Sequence, residues 1–135
     1  MREIKFRGKR VDNGEWVYGY YCVVPEVGRK AVPHIQTVKE LDYGGITLYE
    51  TAVHEVDPKT VGQYTGLKDK NGTEIYEGDI VEVRIDGMGT GHKHPVVWDN
   101  DDATYKFGHA MLGGSDVEII GNVYQNKELM EGKNG

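Results

Sequence analysis

Between Val61 and Val83 the chain sets Asn71-Gly72 between two β-type flanks. It then runs Glu77-Gly78-Asp79 into the β-formers Ile80-Val81-Glu82-Val83. An Asn-Gly pair supplies the two positive-φ residues of a type I′ hairpin turn. Gly66 and Gly78 stand where a bulge or tight turn would be obstructed by a Cβ. Asp79 can cap the turn into the next strand with its carboxylate, and Gly121, inside a β run, suggests a bend. Such a segment begins a small closed β-barrel. It holds no nucleophile, base, metal cluster or phosphate loop, so its residues read as folding positions.

The remaining sequence agrees with a mainly β chain. Nineteen glycines and nine tyrosines among 135 residues, against two phenylalanines, fit many turns between short strands. Alternation over Glu3–Arg7 predicts a strand with Ile4 and Phe6 on one face, followed by Gly8 and the turn Asp12-Asn13-Gly14. Trp16–Val24 is the return strand of that hairpin. Residues 25–31 read as a loop, Val32–Val38 as a short strand, Asp42–Gly45 as a turn and Ile46–Val56 as a strand. Asp57-Pro58 is a helical start signal with room for one turn. Strands follow at Tyr64–Lys68, Thr73–Tyr76, Ile80–Ile85, Pro95–Trp98, Thr104–Phe107 and Val117–Tyr124, with Gly87–Gly91 as a flexible connection. The organisation expected is an N-terminal β-rich lobe (1–61), a C-terminal SH3-like barrel (62–126) and a flexible tail (127–135).

Charge divides along the same line. Residues 1–61 carry nine Lys/Arg and nine Asp/Glu, residues 62–126 five against eleven, and the whole chain is −6. An acidic surface disfavours phosphate backbones. The single cysteine, Cys22, excludes an intrachain disulfide and fits a reducing cytoplasm. No run approaches the roughly 20 apolar residues of a membrane span, and the basic start lacks the apolar core of a signal peptide.

Three blocks resemble the YopX family of phage and prophage proteins. They are Arg2–Lys9 with Gly14–Gly19, Val56–Gly72 running on to Glu77–Val81, and Val117–Leu129. The string Gly62-Gln63-Tyr64-Thr65-Gly66-Leu67-Lys68-Asp69-Lys70-Asn71-Gly72 is the most specific part. The resemblance implies a β-rich N-terminal part, an SH3-like barrel and a phage or prophage origin. It carries no established activity and no functional residues to transfer.

Candidate chemistry is sparse. His92 and His94, two apart on one strand face with His109 later, are the residues best suited to a metal, but they leave a glycine-rich loop and precede Pro95. Asp99-Asn100-Asp101-Asp102 and Asp69–Thr73 lack the glycine and glutamate of a calcium loop and read as turns. Gly87–Gly91 lacks the Gly-Lys-Ser/Thr ending of a phosphate loop. Tyr64, Tyr76 and Trp98 are candidate peptide-binding aromatics of an SH3-like groove. Arg7, Lys9 and Arg10, facing Trp16, Tyr18 and Tyr20, could follow a nucleic-acid strand. The reading is a non-catalytic, cofactor-free cytoplasmic module that binds a host or phage protein. Nucleic-acid binding through the basic hairpin ranks second, and exposed strand edges admit homo-oligomers.

Overall fold

The computed structural model describes residues 3–25, 27–108, 110–111, 113 and 116–131. The chain is mainly β, with two antiparallel sheets, and forms two compact units that part between Gln63 and Tyr64.

The first unit contains β1 (Phe6–Lys9), β2 (Trp16–Val24), β3 (Val32–Tyr43) and β4 (Ile46–Glu55). They lie in the order β4-β3-β2-β1, and Gly62 and Gln63, which open β5 (Gly62–Lys68), pair with the free side of β1. The first hairpin turns on Asp12-Asn13-Gly14, where the Asn13 side chain accepts from the Glu15 amide (2.9 Å). Its first strand starts later than the alternation of charges suggests. Ile4 lies outside β1 and is exposed, and Gly8 is buried within the strand instead of ending it. A Cβ on Gly8 would come within 3.0 Å of the Val56 side chain, so the absence of one admits the close packing there.

β3 continues to Tyr43, five residues beyond the end expected at Val38. Gly44 and Gly45 both adopt positive φ (59° and 90°), and Asp42 accepts from the Gly45 amide. A two-residue turn of this hand matches the twist of the strands it joins, so pairing runs without interruption from His34↔Glu55 to Tyr43↔Ile46. Asp57 caps a single 3-10 turn at Pro58–Thr60, as Asp-Pro predicts, by accepting from the Lys59 amide (3.0 Å). Thr60 ties that turn to β1, its hydroxyl accepting from the Lys9 amide (2.9 Å). Val32, Ile35 and Val56 are buried apolar side chains of this unit.

In the second unit the remainder of β5 pairs with β6 (Glu74–Tyr76), with a register shift across Gly66. The strands β7 (Asp79–Ile85), β8 (Met88–Asp99), β9 (Thr104–Phe107), β10 (Ala110–Met111) and β11 (Val117–Asn122) form a sheet of order β10-β9-β8-β7-β11. Among the described residues this sheet is open, with β10 and β11 at its edges. A short α1 (Glu128–Glu131) follows. Ile75, Val81, Val96 and Val117 are fully buried together, with Leu67, Tyr105, Phe107 and Ile119 packed around them.

Two turns differ from expectation. Asn71-Gly72 is not a type I′ turn: Gly72 has φ 83°, but Asn71 is not in the positive-φ region. Here the buried Asp69 organises a wider loop. Its Oδ1 accepts from the amides of Asn71 (2.9 Å) and Thr73 (3.0 Å), and its Oδ2 accepts from the amide of Ile119 on β11 (3.0 Å). In this unit Asp86-Gly87 is a two-residue turn with both φ positive (51° and 78°), like Gly44-Gly45 in the first. Of the expected flexible connection Gly87–Gly91, Met88–Gly91 therefore belong to β8, which runs on through His92 and His94. Pro95 does not end that strand. It pairs with Ile80, and β9 joins β8 only from Val96 onward, so on that side there is no ladder for the missing N–H to interrupt.

Asp79 accepts from the Tyr76 amide (2.8 Å), the turn-capping role its position suggests. Gly121 marks a register shift between β11 and β7.

Replacing Asp69 by alanine would leave three amides without their acceptor. Loss of hydrogen bonds to a charged group predicts a destabilisation of about 2–4 kcal/mol, read by urea unfolding. Asp69→Asn, which keeps one acceptor oxygen, should cost roughly half as much.

Candidate functional site

Strand alternation puts one continuous row of side chains on a single face of the first unit's sheet. The registers Lys9↔Trp16, Arg7↔Tyr18, Tyr20↔Gln36, Cys22↔His34, Gln36↔Val53 and Val38↔Thr51 align them across all four strands. One end of this face is closed. The Arg7 guanidinium lies 4.6 Å from the centre of the Trp16 ring, and the Lys9 ammonium lies 5.8 Å from it. Arg7 is buried there, in a cation–π contact of the kind that strengthens as water is excluded.

The other end is open. Tyr18, Tyr20, Val38, Tyr49 and Val53 are each about half exposed or more, from 47% to 66%. A depression of about 230 Å³ lies beside them, bounded by Ile4, Tyr18, Tyr20 and Val38, with Glu3 and Lys5 at its rim. Lys5 is paired with Glu3 (3.0 Å). The open end is thus mainly aromatic and aliphatic, with the Glu3–Lys5 pair beside it and Glu40 opposite Tyr49.

A second concavity of the same unit, about 670 Å³, is bordered by Lys9, Arg10, Arg29, Lys30, Glu55 and Asp57. Its cations are partly committed. Arg10 makes a bidentate contact to Asp12 (2.9 and 2.6 Å), and Arg29 reaches Glu55 at 3.5 Å. The Arg10–Asp12 hydrogen bond raises the Arg10 pKa and holds the Asp12 carboxyl below its ordinary range.

The candidate residues therefore fall into separate groups. Arg7, Lys9 and Trp16 are brought together, whereas Arg10 lies in the larger concavity. Tyr64 and Tyr76 are buried, their rings 5.5 Å apart in the second unit. Trp98 is 43% exposed, meets Tyr105 edge-on at 4.9 Å and donates to Asn100 (2.8 Å). His92 is exposed on β8. His94 is half-buried and faces Phe107 at 6.3 Å between ring centres, while His109 lies outside the described residues. Among the described residues no group of three or more His, Cys, Asp or Glu side chains could hold a metal ion. Nor is any helix of them long and apolar enough to cross a membrane.

Sequence reasoning missed the contribution of Val38, Tyr49 and Val53. They share the face of Tyr20 only because β3 and β4 form one long, unbroken hairpin. The available signal was Gly44-Gly45, which permits the tightest turn.

The match to known proteins adds a family. The sequence matches the family described as YopX protein over residues 5–131. The chain belongs to the YopX family. Its fold is similar to that of protein EF1440 from Enterococcus faecalis, solved by crystallography. The two are 19% identical, with a TM-score of 0.60 over 96% of this chain and 99% of that one. The search of curated proteins returned no match.

The Asp99 turn of this YopX-family chain has a checkable electrostatic consequence. Asp99 accepts from the amides of Asp102 (3.1 Å) and Asp101 (2.9 Å), and Lys106 contacts both Asp99 and Asp102. The Asp102 amide bond, then Lys106, hold the Asp99 carboxyl below its ordinary value of 3.8. A depressed carboxyl stabilises the fold above its unfolded pKa and loses that contribution as pH falls through its folded value. In carbon-detected NMR, Asp99 should titrate below 3.8, and Lys106→Ala should move that midpoint upward.

Proposed function

We propose that this protein is a non-catalytic binding module of phage or prophage origin. It engages another protein, from the host or the phage, in the host cytoplasm. The observation that supports this reading is the open end of the sheet face, Tyr18, Tyr20, Val38, Tyr49 and Val53. Contiguous exposed apolar surface of this kind marks interaction sites, and tyrosine contributes large contact area at low entropic cost. The second unit serves as an SH3-like scaffold whose buried Tyr64 and Tyr76 stabilise the fold and leave recognition to the first unit. The reading assigns no cofactor and no reacting group.

Nucleic-acid binding is the competing reading, and the larger concavity, with Lys9 and Lys30 beside Arg10 and Arg29, is where it would act. The pairing of Arg10 with Asp12 and of Arg29 with Glu55 reduces the positive charge it could offer, as does the net charge of −6. Binding through phosphates requires cations free to displace counterions.

The test is capture of host-lysate proteins on the tagged chain, with nuclease-treated and untreated halves compared by mass spectrometry. A partner should persist after nuclease and fall at least tenfold with Tyr20→Glu, the scale of losing one central aromatic contact. Recovery that disappears with nuclease, and falls instead with Lys9→Glu and Lys30→Glu, would replace this reading with the nucleic-acid one.

A further inference from the structure

β4 lies at one edge of its sheet. The Val56 amide donates to the Pro33 carbonyl (3.1 Å), so Val56 and the alternate residues Ile46, Leu48, Glu50, Ala52 and His54 turn their peptide groups toward β3. The intervening residues Thr47, Tyr49, Thr51 and Val53 turn theirs outward. The Glu55 carbonyl, in the same phase, accepts from the Val11 amide on that outer side (3.1 Å). Thr47, Tyr49, Thr51 and Val53 are all exposed.

Edge strands are ordinarily protected by brevity, lysine, proline or a bulge. β4 has none of these four; its charges are Glu50 and, at its end, Glu55. It is ten residues long without Lys or Pro, and its register with β3 shows no shift.

We infer that β4 pairs edge to edge, antiparallel, with β4 of a second copy of this chain. The sequence of the strand favours a copy of itself as occupant. Only registers that match outward residues to outward residues complete the hydrogen bonds. Centring the two-fold on Glu50 would set Glu50 against its own copy, a like-charge pair that is destabilising. Centring on Tyr49 would leave Val53 beyond the other strand, opposite its turn.

Centring on Thr51 satisfies both constraints. Tyr49 then faces Val53 of the second copy, twice by symmetry, Thr51 faces Thr51, Glu50 faces Ala52, and Leu48 faces His54. Aromatic with β-branched and Thr with Thr are favourable cross-strand pairs. Thr51, Tyr49 and Val53 together supply about six main-chain hydrogen bonds across the axis. A closed two-fold of this kind consumes the edge of both chains and stops there. The inference rests on main-chain geometry and stands apart from the partner reading above.

Sedimentation velocity across about 1 to 300 µM tests it, a range that spans the weak affinities of small interfaces. The wild-type chain should shift toward twice the monomer mass as concentration rises. Thr51→Pro removes an outward N–H while leaving the β3 ladder intact, and Val53→Lys places a charge in the seam. Each should weaken association at least tenfold with circular dichroism unchanged, whereas Tyr20→Glu should leave it unaltered. If Thr51→Pro disturbs the fold, Val53→Lys alone decides. A monomer throughout the range, or a dimer undiminished in the folded Val53→Lys variant, overturns the inference.

Discussion

The carboxylate of Asp69 holds the second unit together. One oxygen organises its own loop through the amides of Asn71 and Thr73, and the other reaches the Ile119 amide on β11, fifty residues away. The Lys70 amide adds a main-chain link to the Val117 carbonyl (3.0 Å). The β5–β6 hairpin is thereby fixed against the strand that carries Val117 and Ile119. That arrangement closes the apolar cluster of Ile75, Val81, Val96 and Val117. A buried carboxylate is tolerated here because its oxygens are met by amides, which offset the desolvation that an unpaired charge would incur.

The most distinctive string in the chain is thus occupied by folding positions. Gly66, Asp69, Gly72, Gly78 and Asp79 set turns and caps, and Tyr64 and Tyr76 fill the interior. The exposed apolar row lies elsewhere, on the sheet of the first unit, at Tyr18, Tyr20, Val38, Tyr49 and Val53. Membership of the YopX family and similarity in fold to EF1440 accord with a shared scaffold. The exposed tyrosines of β2 and β4 are the features from which binding would come.

Local signals in the sequence located several elements well. β2 and β9 begin and end where the β-formers do, Asp57-Pro58 opens a helical turn, and Asp79 caps the turn after Tyr76. What escaped was decided by side-chain acceptors, competing turn signals and tertiary partners. Asn71-Gly72 has the composition of a type I′ turn, but Asp69 accepts from the Asn71 and Thr73 amides with its side chain and from the Gly72 amide with its carbonyl, and the loop widens. Asp86-Gly87 has equally good turn chemistry, hidden by the glycines that follow it. Gly8 looks like a terminator, yet it continues β1 because Val56 packs against it. The candidate site was half legible. Period-two alternation gathers Arg7, Lys9, Trp16, Tyr18 and Tyr20, whereas their joining with Val38, Tyr49 and Val53 depends on a register that spans three strands. Burial of Arg7, Tyr64 and Tyr76 could not be read from residue type, since tyrosine and arginine serve both surfaces and interiors.

The most direct measurement of the claim that Asp69 ties the scaffold together is native-state amide hydrogen exchange on the intact chain. If Asp69 fastens its hairpin to β11, the amides of Asn71, Thr73 and Ile119 open only with the global transition, alongside Val81 and Val96. Exchange of Asn71 and Thr73 at the rate of an unprotected loop, with Ile119 uncoupled from them, would contradict it.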